Sequence, residues 1–333
     1  MPGHEPIIDE GRTYVFQYEQ PCLDVVTRSM TRLWCEMVED ANPLYHDAAF
    51  ARQRGFRDVI APPTMFLAWT AEPTWTPDEG RRRPHVNALP PVPGLPNGAV
   101  IDIGLSVHRP FEIGEQLHAV RYLSGPSALT STRRGRGRLI RDLVSLRTTD
   151  GEEVAAQRST VLRFDTIEGA SVAPEPPGRA PTLLQNGVGS IDRRQSRAVG
   201  DIREADVLPT LCFDLPLPRF MLAVAATRDF YEVHHDREFA RSIGAPDMFI
   251  GTHFMQGLIG RYVNDWCGPD WYLRRLDLVP HERNHPGDTI AVTGRVMRAP
   301  GSDEVSAMTL AIVCSNDRAV SHEATVVLGR GDE

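Results

Sequence analysis

From Met30 the apolar side chains Met30, Leu33, Trp34, Met37 and Val38 recur at i, i+3, i+4, i+7 and i+8, the stripe of an amphipathic helix. Thr27 or Ser29 can cap it, and Asn42-Pro43 ends it, because proline pushes the preceding residue out of helical geometry. Upstream, Tyr14, Phe16 and Tyr18 alternate as in a short strand. After a short helix in HDAAFARQRG comes VIAPPTMFLAWT, which predicts a strand, then Pro62-Pro63, then a buried helix. Residues 72–98, rich in Pro, Gly, Arg and Asp, form a long excursion. AVIDIGLSV, EQLHAVRYLS, LIRDLVSLRTT and EEVAAQRSTVLRF then predict four strands, so the first half reads as one long helix wrapped by a meandering sheet.

The plan then repeats. Residues 166–206, with PEPPGRAP and few large apolar groups, have the composition of a linker. Phe220 to Arg228 is helical in character, MFIG predicts a short strand, and THFMQGLIGRYVNDW predicts the clearest helix of the chain. There Phe254, Met255, Leu258, Ile259, Tyr262, Val263 and Trp266 keep helical spacing through three turns. YLRRLDLV, DTIAVTGRVM, VSAMTLAIV and EATVVLG predict a second set of strands.

The repetition extends to residue identity. Setting Asp40 of EDANPLYHDAAFARQRG on Asp229 of RDFYEVHHDREFARSIG, an offset of 229 − 40 = 189, brings His46, Asp47, Phe50, Ala51, Arg52 and Gly55 onto His235, Asp236, Phe239, Ala240, Arg241 and Gly244. Farther on, His108 and Gly114 match His281 and Gly287 at an offset of 287 − 114 = 173. One unit has therefore been duplicated and fused, and the first copy carries about 16 extra residues, for which the excursion is the natural place. The copies differ where it matters most. His234 of the second has Tyr45 as its counterpart in the first, so of the two copies of this stretch the second alone keeps an Asp and a His five residues apart, Asp229 and His234.

At 333 residues the chain suits two domains. Its boundaries read as 1–165, an N-terminal unit with a degenerate site, 166–206, the linker, and 207–333, the unit carrying the pair. A net charge of −8 argues against a nucleic-acid binder, which needs a basic face. No apolar run is long enough to cross a membrane, and MPGHEPIIDEGR lacks the form of a secretory signal, so a cytoplasmic protein with reduced cysteines is expected. All 36 basic residues are arginine. Without lysine there is no Schiff base, no P-loop and no Ser-x-x-Lys nucleophile, which leaves mostly carboxylate and imidazole chemistry.

These residues resemble the MaoC-like dehydratases and (R)-specific enoyl-CoA hydratases in their fused double hot-dog form. The resemblance rests on Asp229 and His234, on Pro286-Gly287-Asp288 as a strand entry, and on Asp40, Asn42 and Pro43 in the first copy. It covers both halves and excludes the linker and the termini. It departs from the family at Tyr231, in place of an asparagine, and at Gly251-Thr252, where His-Gly is usual. It implies an α+β fold of two antiparallel sheets, each wrapped around a long central helix. It also implies addition or removal of water across C2–C3 of an acyl thioester, with Asp229 and His234 as catalytic residues. Coenzyme A enters as part of the substrate, and no separate cofactor or metal is expected. Backbone N–H groups at Gly251 and Thr252, at the start of the central helix, are the expected donors to the thioester oxygen. Tyr231 is expected to bind substrate or to support the loop. The first copy has Pro62 and Pro63 at the comparable place, without N–H groups.

Plainer readings stand beside these. Asp229 and His234 on their own could be a cap and a buried structural histidine. His281 and His285 read as structural, because Pro286-Gly287 follows them. The run Arg133-Arg134-Gly135-Arg136-Gly137-Arg138 reads as a solvated hairpin tip ahead of a phosphate site. Rival functions are a thioesterase and a non-catalytic acyl-thioester binding protein or subunit. One chain can be the functional unit, since the duplication supplies the pairing that single-domain relatives obtain by dimerising, and a homodimer of such chains is also open.

Overall fold

The computed structural model describes residues 7–9, 12–77, 80–81, 89, 92–132, 135–165, 193–301 and 307–330. Ten main strands, all antiparallel to their neighbours, carry the fold: β1 (Arg12–Pro21), β2 (Asn97–Val107), β3 (Leu117–Ser124), β4 (Gly135–Thr148), β5 (Glu153–Phe164), β6 (Val207–Asp214), β7 (Trp271–Pro280), β8 (Thr289–Arg298), β9 (Ala307–Ser315) and β10 (Val320–Arg330). They lie in the order β1-β3-β4-β5-β2-β7-β10-β9-β8-β6 within one continuous sheet, which Ile7–Asp9 extends at its edge and Thr130–Thr132 joins through β4. From the centre outward, 2-5-4-3-1 mirrors 7-10-9-8-6, so the duplication is built into the topology. The two expected sheets are thus two halves of one, joined where β2 and β7 pair from Ser106↔Arg275 to Ile103↔Leu278.

The helices repeat with the sequence offset. α1 (Arg28–Val38) and α5 (Leu217–Thr227) begin 217 − 28 = 189 residues apart, have the same length and pack against each other. Each ends on a residue in the left-handed region, Glu39 at φ 58° and Arg228 at φ 57°, which turns the chain sharply out of the helix. α2 (Pro43–His46) and α3 (Ala48–Arg52) correspond to a 3-10 turn at Glu232–His234 and to α6 (Arg237–Ser242). Asp47 and Asp236 cap the second member of each pair through backbone N–H groups. Gly55 and Gly244 then close matching turns at φ 85° and 87°, a region that favours glycine.

The central helices are unequal. α7 (Thr252–Cys267) is buried along most of its length, and Trp34 of α1 lies against Gly257, where a Cβ would come within 3.0 Å of the indole. The first half, expected to hold an equally long helix, has a 3-10 turn at Pro63–Met65 and one short helix, α4 (Phe66–Thr70). Pro62 and Pro63 remove donors at its start, and Pro73 disfavours helical geometry at Glu72 just past its end. MFIG is extended without being a strand: Phe249 N–H donates to Val233 and Ile250 N–H to Asn284, so its bonds go to loops instead of a ladder. The excursion contains a small ribbon, Trp75–Thr76 with Gly80–Arg81.

Residues 166–192 of the expected linker lie outside the described residues. Its end is docked on the C-terminus of α7, where Arg193 pairs with Asp265, Ser196 accepts from Asp270 N–H and the Trp271 indole donates to the Arg197 carbonyl. Of the arginine run, Arg133 and Arg134 lie outside the described residues and Arg136 is exposed on the hairpin that pairs with Thr130–Thr132. Among the described residues no helix is long and apolar enough to cross a membrane.

Candidate active site

The chain leaves α5 at Arg228 and places Asp229 and His234 on one side of a loop, which a continuous helix could not do. Five helical steps would set the two side chains about 140° apart. Here the left-handed Arg228 and the 3-10 turn fold the segment back, and His234 Nε2 lies 3.4 Å from Asp229 Oδ2. Both side chains are 11% exposed. Asp229 Oδ1 accepts from Tyr231 N–H at 3.4 Å, and His234 Nδ1 donates to the Phe249 carbonyl at 2.8 Å. That bond leaves Nε2 as the ring atom turned to the carboxylate.

Burial works against charge on both groups, yet their mutual attraction wins. For Asp229, burial would raise the pKa, but the neighbouring His234 and His253 rings hold the carboxyl well below the usual range. For His234, burial would lower the pKa, and the charge of Asp229 raises it above the ordinary histidine value.

A cavity of about 70 Å³ opens beside the pair, several times the room of roughly 10–15 Å³ that one water needs. Its walls come from both halves: Gly98, Val100 and Phe164 from β2 and β5, and Val233, Phe249 and Thr252 from the second copy. Tyr231 lines the cavity, its ring 6.1 Å from that of His234, and its hydroxyl is hydrogen-bonded to the Gly98 backbone across the junction. It therefore both lines the pocket and fastens the loop. Half-buried Arg283 lies over Phe249 at 4.9 Å and also faces the cavity.

Gly251 is the N-cap of α7 and Thr252 its first residue, and no side chain caps this end. The N–H groups of a first helical turn have no intrahelical partners and form a positive terminus. A Cβ on Gly251 would lie 3.4 Å from His234 Nε2 and 3.6 Å from Asp229 Oδ2, so glycine leaves open the space that both polar atoms face. Gly251→Ala is expected to lower turnover about 100-fold, the cost of misplacing reacting groups by roughly 1 Å. Backbone angles of −71° and 154° suit alanine, so the melting temperature should stay unchanged, as steady-state kinetics and a thermal melt will test.

One residue that the sequence did not single out joins the pair. His253, on the buried face of α7, places Nδ1 3.8 Å from Asp229 Oδ2, and its Nε2 lies 3.4 Å from Gln157 of β5. The contact with Gln157 crosses 96 residues of sequence, so only the folded chain reveals it. His235, adjacent to His234, turns instead to the Phe230 carbonyl. His281 pairs with Glu323, and buried His285 is bonded to the Met248 carbonyl, both away from Asp229.

The corresponding place in the first copy is differently equipped. Asp40 accepts from Asn42 N–H much as Asp229 does from Tyr231, but Tyr45 occupies the imidazole's position and its hydroxyl accepts from Asn264. His46 reaches only the Asp40 backbone carbonyl. Buried without an imidazole partner, Asp40 is pushed up to about 6.

Comparison with known proteins agrees with this architecture. Residues 14–157 match the family model for the FAS1-like dehydratase domain region. A probable enoyl-CoA hydratase alpha subunit of Thermomonospora curvata is 33% identical over 42% of this chain and 46% of its own length. The 3-oxo-4,17-pregnadiene-20-carboxyl-CoA hydratase beta subunit of Mycobacterium tuberculosis is 39% identical over 24% of this chain and 62% of its own length. The chain thus spans about half to three fifths of the curated relatives it matches. A solved MaoC-like dehydratase superposes with a TM-score of 0.70 at 18% identity, over 94% of this chain and 98% of that one, which establishes the shared double hot-dog fold. The chain thus shares the fold of the MaoC-like dehydratases, and its first half is similar to a dehydratase domain region.

Proposed function

We propose that the protein adds or removes water across the C2–C3 bond of an acyl thioester, converting a 2-enoyl-CoA to a 3-hydroxyacyl-CoA or the reverse. The observation that carries this reading is the Asp229–His234 pair, 3.4 Å apart in a cavity that also meets the uncapped start of α7. In hydration, a water held by the pair gives up a proton as its oxygen bonds to C3. The C2–C3 π electrons move through C2 onto the thioester oxygen, where the N–H groups of Gly251 and Thr252 supply positive charge. The electron pair then returns, C2 takes the proton from the same side, and the pair is restored.

Two of the relatives have names that describe coenzyme A thioester hydratases or their subunits, which supports coenzyme A as the thiol and makes it part of the substrate. Arg283, beside the cavity, supplies charge suited to its phosphates. We assign residues 1–165 as a hot-dog unit with a degenerate site that forms one cavity wall, 166–206 as the linker and 207–333 as the unit bearing the chemistry. One chain then contains a complete site.

Loss of enoyl-thioester absorbance with a panel of acyl chains tests the proposal, and no turnover with any of them would end it. Release of free thiol from saturated acyl-CoA would point to a thioesterase, and tight binding without chemical change to a binding subunit.

A further inference from the structure

The histidine on α7 is part of a chain of side chains that starts in the core and ends on the catalytic carboxylate. Gln256 Nε2 donates to Gln157 Oε1 at 3.2 Å, Gln157 Nε2 faces His253 Nε2 at 3.4 Å, and His253 Nδ1 faces Asp229 Oδ2 at 3.8 Å. All three residues are buried, Gln256 completely. A carboxylate can only accept, so the His253 nitrogen turned to it must be the one that carries hydrogen. A neutral imidazole then has its lone pair on Nε2, where an amide N–H from Gln157 satisfies it. Gln157 can present that N–H because its own oxygen is engaged by Gln256. Each donor points towards Asp229.

We propose that His253 is a positioning residue: a neutral imidazole, fixed as its Nδ1–H tautomer by Gln157 of the opposite half, that donates to Asp229 and keeps Oδ2 aimed at the water shared with His234. The inference rests on the hydratase reading and adds to it a contribution of the first half beyond a cavity wall. At 3.8 Å the contact is an ion–dipole interaction, and contacts of this kind often tighten when substrate closes a site. Two imidazoles thus meet one carboxylate oxygen with different duties. Both rings border the cavity, but the His234 side chain is the more exposed, 11% against 4%, and exchanges protons with the water, whereas His253 serves to orient the carboxylate.

The test uses two substitutions of opposite character. Asn places an amide nitrogen close to the position of Nδ1, whereas Leu fills the volume without a donor. A purely structural role for a buried side chain would favour Leu, and the proposed role favours Asn. His253→Leu is expected to lower kcat about 10- to 100-fold, the size of one hydrogen bond to a charged group, with KM little changed, and His253→Asn to recover most of the loss. Thermal melts establish that both variants fold. Equal activities in the two folded variants, or an unimpaired Leu variant, would overturn the proposal.

Should the Leu variant fail to fold, nitrogen-15 NMR of histidine-labelled wild-type protein decides independently of activity. A neutral His253 ring with hydrogen on Nδ1 is expected, and in Gln157→Leu the Nε2–H form should appear beside it. Hydrogen on Nε2 in the wild type, or a spectrum that Gln157→Leu leaves unchanged, would overturn the assignment. If the wild-type protein turns over no enoyl thioester, the hydratase reading fails by itself, and the spectrum still reports the tautomer.

Discussion

Asp229→Asn is expected to reduce kcat for an enoyl thioester about 1000-fold, within the range of roughly 10²–10⁴ for removal of a general acid or base, while leaving KM nearly unchanged. The amide keeps the shape of the side chain but removes the charge that His234 and the attacking water both face. Loss of that charge also removes what holds the imidazole pKa up, so burial should lower it. For the wild type, a base with a raised pKa places the acid limb of kcat/KM above the usual histidine range, with activity falling as pH drops through it. In Asp229→Asn the residual activity should show that limb displaced to lower pH. A pH–rate profile of both proteins checks the direction, and an Asn variant with wild-type kcat would remove Asp229 from the mechanism.

The same pair has a stability signature whose parts have opposite signs. His234, with its folded pKa raised, contributes stability that is present at low pH and is lost as pH rises through that folded value. Asp229, with its pKa lowered, contributes stability that is present above the unfolded carboxylate range and is lost only on strong acidification. Between those limits the pair is ionised and holds the loop closed.

The largest expected effect on stability lies elsewhere in the first half. Arg121 of β3 and Asp142 of β4 form a two-pronged pair, both bonds 2.8 Å, with side chains 4% and 5% exposed. Arg121→Met should cost about 3–5 kcal/mol, because it strands a buried carboxylate. Asp142→Leu in the same chain should restore most of the loss, since an apolar pair of similar volume avoids the desolvation cost. The single variant should also regain stability as the pH is lowered. Burial already raises the Asp142 pKa, and without its arginine the folded state takes up a proton before the unfolded state does. Denaturant titrations of the three proteins at two pH values measure all of this, and a single variant as stable as the wild type would show that the pair adds nothing.

Much of the architecture was legible because duplication prints twice. The 189-residue offset read from identical residues returned as paired helices, paired left-handed exits at Glu39 and Arg228, and paired caps at Asp47 and Asp236. The five-residue spacing of Asp229 and His234 was legible, but not the turn that brings them together, since arginine is not a residue that announces φ > 0. His253 escaped notice because its spacing on α7 is that of a core residue. Its partners, Asp229 and Gln157, meet it only once the halves are joined. The short α4 was hidden by the apolar run FLAW, which continues a helical pattern that Pro73 then stops. β6 was missed because it contains Pro209. Such a residue is tolerated only at a sheet edge, and β6 occupies one, with its register shifting between Leu208 and Leu211.

The seam where β2 meets β7 is short, yet β2 gives Gly98 to the hydroxyl of Tyr231 and holds β5, the strand of Gln157, in its place. Side chains alternate along a strand, so a slip of one residue at this junction would turn Gln157 away from α7 and present the opposite face of β5 to the carboxylate. Strand registration between the two ancestral copies thereby becomes a catalytic variable. A substitution at Leu105 or Leu276, which pair across the seam, is therefore expected to silence the proposed activity while the protein stays folded.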